Sequence, residues 1–172
     1  GAKLVAVSDS SGVIYNTKGL DFETLAKTKK EKGKVTDYKN GKKLSSKDII
    51  SIEADVLITA AIPDLVSKND VSKIKAKIVV EGSNIPMSHE SEELLAKKGI
   101  LVVPDFVANA GGVISSYCEY KGLSEKDMFK MVEEKITKNT ELVLKGMKNN
   151  CARCAAMDIA KKRIKNKLTT IK

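Results

Sequence analysis

The sequence has no long apolar run, three cysteines, a single histidine and only two arginines, and each shortage removes a class of protein. Stretches such as Val56-Leu57-Ile58 and Ile100-Leu101-Val102-Val103 fall far below the roughly 18 residues that a membrane-spanning helix needs. No membrane segment is expected, and the apolar run near Gly1 is too short for a signal-peptide core, so the expected compartment is the cytoplasm. Cys118, Cys151 and Cys154 are odd in number and clustered late, unlike the framework of a small secreted domain, and are expected as reduced thiols. Cys151 and Cys154 have C-x-x-C spacing, but they fall in an alanine-rich helical pattern with no second pair. That points to packing, and no metal is expected. His89, among Ser88, Glu90 and Glu92, reads as an exposed first-turn residue without a catalytic role. Phosphate loops are missing too: neither G-x-G-x-x-G nor a Walker sequence occurs.

What is present suits one folded domain. Of 172 residues, 42% are hydrophobic and 31% charged, close to globular averages. The net charge of +9 is concentrated late, because residues 121–172 carry 14 basic against 6 acidic side chains. Such a surplus could meet nucleic acid or an acidic partner, yet only Arg153 and Arg163 offer a guanidinium, so solvated lysines on helix faces are the expected reading. A nucleic-acid module remains the alternative.

Short apolar runs rich in β-branched residues alternate with helical patterns, which predicts an α/β fold with a doubly wound parallel sheet. The expected strands are residues 4–7, 56–59, 78–80 and 100–103, each nearly continuous in apolar residues, as in a sheet covered on both faces. Helices are expected over 22–32, 46–52, 67–73 and from Ser88 to Gly99, with a charged excursion at 32–43 that holds a possible strand at 34–38. Past Asp105 only helices are expected: 109–120, one from Ser124 carrying Phe129, Val132, Ile136, Val143 and Met147 on one face, and a last one after Asn149-Asn150. The chain thus divides into βα units over 1–105 and a helical segment over 106–172.

In such a sheet ligands bind at the carboxyl ends of the strands. Asp9 in Ser8-Asp9-Ser10-Ser11-Gly12 could accept hydrogen bonds from ribose hydroxyls, or could simply make a turn. Ala60 and Ala61 are small enough to let a flat ring approach, or to pack a core. Asn84 offers a donor and an acceptor to a carboxamide or ribose, or an Asx turn entering the next helix. The strongest segment is Asp105-Phe106-Val107-Ala108-Asn109-Ala110-Gly111-Gly112, where adjacent glycines at a helix start bring backbone close to a ligand.

That segment, its continuation Ser115-Ser116-Tyr117-Cys118-Glu119-Tyr120, and the run Leu4-Val5-Ala6-Val7-Ser8-Asp9-Ser10-Ser11-Gly12-Val13-Ile14-Tyr15-Asn16 together resemble the glutamate dehydrogenase family. Related leucine, phenylalanine and valine dehydrogenases share the Asn-Ala-Gly-Gly run. The resemblance implies a partial NAD(P)-binding domain over 1–172 and, in the full enzyme, oxidative deamination of L-glutamate to 2-oxoglutarate and ammonia with hydride passing to NAD or NADP. It would place Ser8 and Asp9 near the adenosine ribose, Ala60 and Ala61 beside the cofactor, Asn84 and Asn109 near the nicotinamide half, and Ser116 on the substrate side-chain carboxylate. NAD is favoured, since Asp9 would repel a 2'-phosphate. Three positions depart from the family pattern: Thr59, Asp64, and Ile85 where a glycine is usual.

In that family a substrate domain and the first Rossmann strand with its glycine-rich loop precede the match to Gly1. The family's catalytic lysine and aspartate belong to the substrate domain, so no residue here is expected as general acid or base. The chain is expected to be a portion of a larger oligomeric enzyme, inactive in isolation and partnered by the substrate domain. Without the central strand, the strands at 4–7 and 56–59 lose their shared neighbour, so the sheet should be gapped, rearranged or completed by another copy.

Overall fold

Near-continuous β-branched runs do form a parallel sheet here, in a computed structural model that describes residues 1–170. The chain divides into two compact units: Gly1–Asp55 with Ser72–Ala76, and Val56–Val71 with the chain from Lys77 onward.

The first unit holds β1 (Ala6–Asp9), β2 (Gly12–Tyr15) and β3 (Lys42–Leu44), an antiparallel sheet in the order β1-β2-β3. This corrects the expectation that residues 4–7 join the parallel sheet. Ser10-Ser11 turns the chain straight back, so Asp9 stands opposite Gly12 and Val7 opposite Ile14. Gly12 is required at that corner: its φ is +130°, and a Cβ there would lie 2.7 Å from the Leu44 carbonyl oxygen. The helix α1 (Phe22–Lys32) starts where Asp21 accepts the Thr24 N–H and ends at Gly33 in the left-handed region. Ile14, Leu20, Leu25, Val35 and Tyr38 form the core of this unit, with Leu4 and Val7 packed against it. Residues 34–38 are a 3-10 turn (Val35–Asp37) and not a strand, because i to i+3 bonds and the Val35 N–H bond to Asp9 curl the backbone.

The second unit is built on β4 (Val56–Thr59), β5 (Ile78–Glu81) and β6 (Leu101–Val103), parallel and ordered β4-β5-β6, with Thr59 in register with Glu81. Between β5 and β6 runs α2 (His89–Lys97), capped by Ser88. Four helices follow: α3 (Asp105–Ala108), α4 (Gly111–Tyr120), α5 (Glu125–Gly146) and α6 (Ala152–Thr170). Val107, Val143, Ala152, Ala155 and Ala156 bury themselves together, and Leu101, Val103, Met147 and Ile159 pack on them.

Details differ from the sequence reading. The helices expected at 46–52 and 67–73 are 3-10 turns, Ser46–Ser51 and Lys68–Lys73. The one expected over 109–120 is α4, beginning at Gly111, and a short helix that was not expected, α3, precedes it. Phe129, read as a core-face residue, is 61% exposed. No described helix is long and apolar enough to cross a membrane.

The cysteines need a larger correction. Cys151 and Cys154 are joined by a disulfide, and Cys118 alone is a free, buried thiol. The physical reason is that α6 begins one residue after Cys151, so the pair straddles its first turn instead of lying inside the helix. Their Cα atoms stand 5.4 Å apart, within the usual disulfide range.

Candidate functional site

The carboxyl ends of β4 and β5 carry two fully buried polar residues, Thr59 and Glu81. Just beyond them the chains run so close that a Cβ at Gly82 would lie 3.1 Å from that of Ala60. Ser83 ties the two loops together: its N–H donates to the Thr59 carbonyl at 2.7 Å and its hydroxyl to the Thr59 and Ile62 carbonyls. Ala60, Ala61 and Asn84 are thereby gathered, exposed, at one strand end. Asn109, from the turn between α3 and α4, joins them by donating its Nδ2 to the Asn84 Oδ1 at 2.6 Å.

The family departures Asp64 and Ile85 meet in the same place. Ile85 has φ +48° and Asp64 +51°, and the Asp64 N–H donates to the Ile85 carbonyl at 2.9 Å. A β-branched residue in the left-handed region is strained by roughly 1–3 kcal/mol. The Ile85 N–H is held by Asp105 Oδ2 at 3.0 Å.

Behind this loop lies a charged cluster that the sequence reading missed. Arg153, in the first turn of α6, donates its Nε to both oxygens of Glu92, at 2.8 and 2.7 Å. A terminal nitrogen reaches Glu81 Oε2 at 3.0 Å and Asp105 Oδ1 at 2.9 Å. The Phe106 ring lies under the guanidinium, 5.2 Å away. The Asp105 N–H donates to Glu81 Oε2 at 2.9 Å, while Glu81 Oε1 is buried with no hydrogen-bond partner. Burial first, then the charge of Glu92, pushes the Glu81 carboxyl up to about 7. Burial acts the same way on Asp105 but is outweighed by hydrogen bonds from Ile85, Phe106 and Arg153, so its carboxyl sits below the ordinary range. The only signal in the sequence was the scarcity of arginine.

The remaining expected residues sit elsewhere. Ser8 and Asp9 belong to the first unit. Asp9 accepts the Ser11 N–H at 2.8 Å, the Val35 N–H at 3.0 Å, the Ser11 hydroxyl and the Lys29 ammonium. Burial opposes its ionisation, but these bonds overcome it and hold the carboxyl far below the ordinary range. Ser116, exposed on α4, donates its hydroxyl to the Gly112 carbonyl at 3.1 Å. Of the adjacent glycines, Gly111 faces Val132 at 3.4 Å, whereas nothing lies within 4 Å of a Cβ at Gly112. His89 is exposed beside Glu92 and Glu93.

Comparison with known proteins gives this arrangement a context. The model of the Glutamate/Leucine/Phenylalanine/Valine dehydrogenase family matches residues 1–170. A glutamate dehydrogenase of Aeropyrum pernix is 41% identical over 176 residues, covering 95% of this chain and 42% of that protein. An NADP-specific glutamate dehydrogenase of Saccharolobus shibatae is 34% identical over 143 residues, covering 80% and 34%. Among solved structures, the hetero-hexameric glutamate dehydrogenase of Thermus thermophilus in its Leu-bound form superimposes with a TM-score of 0.80 at 25% identity, covering 94% of this chain and 40% of that one. The chain therefore spans about two fifths or less of the length of the relatives it matches.

Proposed function

The chain belongs to the glutamate/leucine/phenylalanine/valine dehydrogenase family, and from that premise we propose that it supplies part of the nicotinamide-dinucleotide domain of an enzyme that oxidatively deaminates L-glutamate to 2-oxoglutarate and ammonia. One observation carries this reading: the amide pair of exposed Asn84, just beyond the carboxyl end of β5, and half-buried Asn109, in the turn between α3 and α4. With Asn84 Oδ1 and Asn109 Nδ2 spent on each other, Asn84 Nδ2 remains a donor and Asn109 Oδ1 an acceptor. That pair complements the carbonyl and amine of a carboxamide. The close approach of Ala60 and Gly82 leaves a surface of backbone and methyl beside it, suited to a flat ring. When bound, the nicotinamide ring accepts the hydride from the substrate α-carbon.

On this reading Ala60 and Ala61 flank the cofactor, and Asn84 and Asn109 orient its carboxamide. Ser116 meets the substrate side-chain carboxylate, and Ser8 and Asp9 serve the adenosine ribose. Residues 1–105 and 106–172 are its βα and helical parts. No residue here is assigned as general acid or base. NAD is the favoured acceptor, because Asp9 disfavours a 2'-phosphate. The Lys29 ammonium beside it offsets part of that repulsion, and the Saccharolobus shibatae relative is named NADP-specific. We assign the complete enzyme to a cytoplasmic oligomer, in keeping with the hetero-hexameric Thermus thermophilus relative. The rival nucleic-acid module has no support from these relatives.

The test is a chimera in which residues 1–170 replace the matching part of the Aeropyrum pernix enzyme. Glutamate-dependent reduction of NAD, lost on Asn109→Ala, is the expected result. A folded chimera that binds cofactor but prefers another amino acid would overturn the substrate assignment, and one that binds no cofactor would overturn the domain assignment.

A further inference from the structure

We propose that Cys151 and Cys154 form a site of reversible thiol–disulfide exchange with low-molecular-weight thiols and disulfides, and that its state sets how firmly Arg153 holds the carboxylates behind the Asn84 loop. Cys151 closes the Asn149-Asn150 turn, whose residues have φ of +50° and +56°, and stands immediately before α6. The Cys154 N–H donates to Cys151 Sγ at 3.2 Å. A helix N-terminus with a free N–H on the sulfur stabilises a thiolate, which makes Cys151 the better leaving group.

Access favours the other sulfur. Cys154 is exposed, and the pair lines an open cleft of about 640 Å³ shared with His89, Glu93, Asn149 and Asp158. A small thiol can enter it. Cys118 is buried against Met131 and takes no part. A packing role explains the burial of Ala152, Ala155 and Ala156 around the pair but not the exposure of Cys154.

The exchange follows from these positions. An external thiolate attacks Cys154 Sγ, the S–S bond breaks, and its electron pair leaves on Cys151. A second external thiolate then attacks the external sulfur of the mixed disulfide. The Cys154 thiolate departs, and both cysteines take up protons. Two electrons and two protons thus pass from two thiols to the pair, yielding one small disulfide. Oxidation is the reverse, with that small disulfide as oxidant. The reducing cytoplasm proposed for this protein would keep such an exposed pair in exchange instead of locked.

Coupling to the loop is built into the sequence order. Arg153 lies between the two cysteines, so the bridge constrains the backbone turn from which its side chain reaches Glu92, Glu81 and Asp105. Asp105 in turn holds the Ile85 N–H, next to Asn84. Opening the bridge frees the first turn of α6 and loosens that chain of contacts.

The experiment equilibrates the full chain in glutathione buffers of graded thiol to disulfide ratio, traps it by alkylation and weighs it, with hydrogen exchange read on the same samples. Cys151 and Cys154 should pass together from both alkylated to neither. Exchange at the Ile85 and Phe106 amides should be about threefold or more faster in the reduced form. Cys154→Ser should exchange at the reduced-form rate whatever the ratio. A pair that stays in one state across the whole range would overturn the site. A complete redox transition with unchanged exchange at Ile85 would overturn the coupling. Neither readout involves a nicotinamide cofactor, so a failure here leaves the dehydrogenase assignment untouched.

Discussion

Ile85 is the residue whose backbone and side chain disagree most: a β-branched side chain at φ +48°, in the loop that carries Asn84. Replacing it by glycine removes the strain and costs only the extra freedom of the unfolded chain. Ile85→Gly should therefore stabilise the protein by about 1 kcal/mol in urea denaturation, and a loss of stability would contradict the strain argument. Glu81 makes a pH prediction. Its folded-state value of about 7 lies above the ordinary 4.5, so the stability it contributes is present below the ordinary value and is lost as pH rises through about 7. Denaturation midpoints should fall as pH rises from about 4.5 to about 7 and level off above that, and the fall should flatten in Glu81→Gln. The residues around Glu81 were not legible in the sequence. Arg153 lies 72 residues from Glu81 and 48 from Asp105, and no local pattern records a contact across such distances. That Asn84 and Asn109 stand near each other was suggested by the sequence only in so far as both follow apolar runs read as strands; their bond to each other was not legible.

At the scale of elements, the parallel strands β4, β5 and β6 were readable because their runs are nearly continuous in apolar residues, although the expected cover on both faces fails at β4, where Val56 and Ile58 are exposed. The same rule misplaced β1. Its run is just as apolar, but strand direction is decided by the Ser10-Ser11 turn and by Gly12, which send the chain back on itself. Gly12→Ala should cost about 2 kcal/mol or more in chemical denaturation, since it strains a φ of +130° and drives a Cβ into the Leu44 carbonyl. A neutral result would mean that the hairpin can shift register. The boundary of α6 was equally decisive for the cysteines. Moving the helix start to Ala152 turns a pair that reads as interior packing into a bridged first turn.

At the scale of the whole chain, the basic surplus over residues 121–172 falls largely on exposed positions of α5 and α6, as solvated lysines do. On the proposed reading, what the chain offers a dehydrogenase is recognition, with a pair of side-chain amides, small residues at strand ends and a serine on α4. What it does not offer is an assigned acid or base, so the 172 residues alone should show no glutamate-dependent reduction of NAD or NADP. Turnover by them alone would mean that a resident group does this work. The most direct measurement is an NMR titration of the isotope-labelled chain with NADH, reading the side-chain amide signals of Asn84 and Asn109, because it registers even weak binding. Saturating shifts of those two signals that vanish in Asn109→Ala are the expected result. Shifts that leave both amides unmoved while others saturate would contradict the assignment of this strand end as the nicotinamide site.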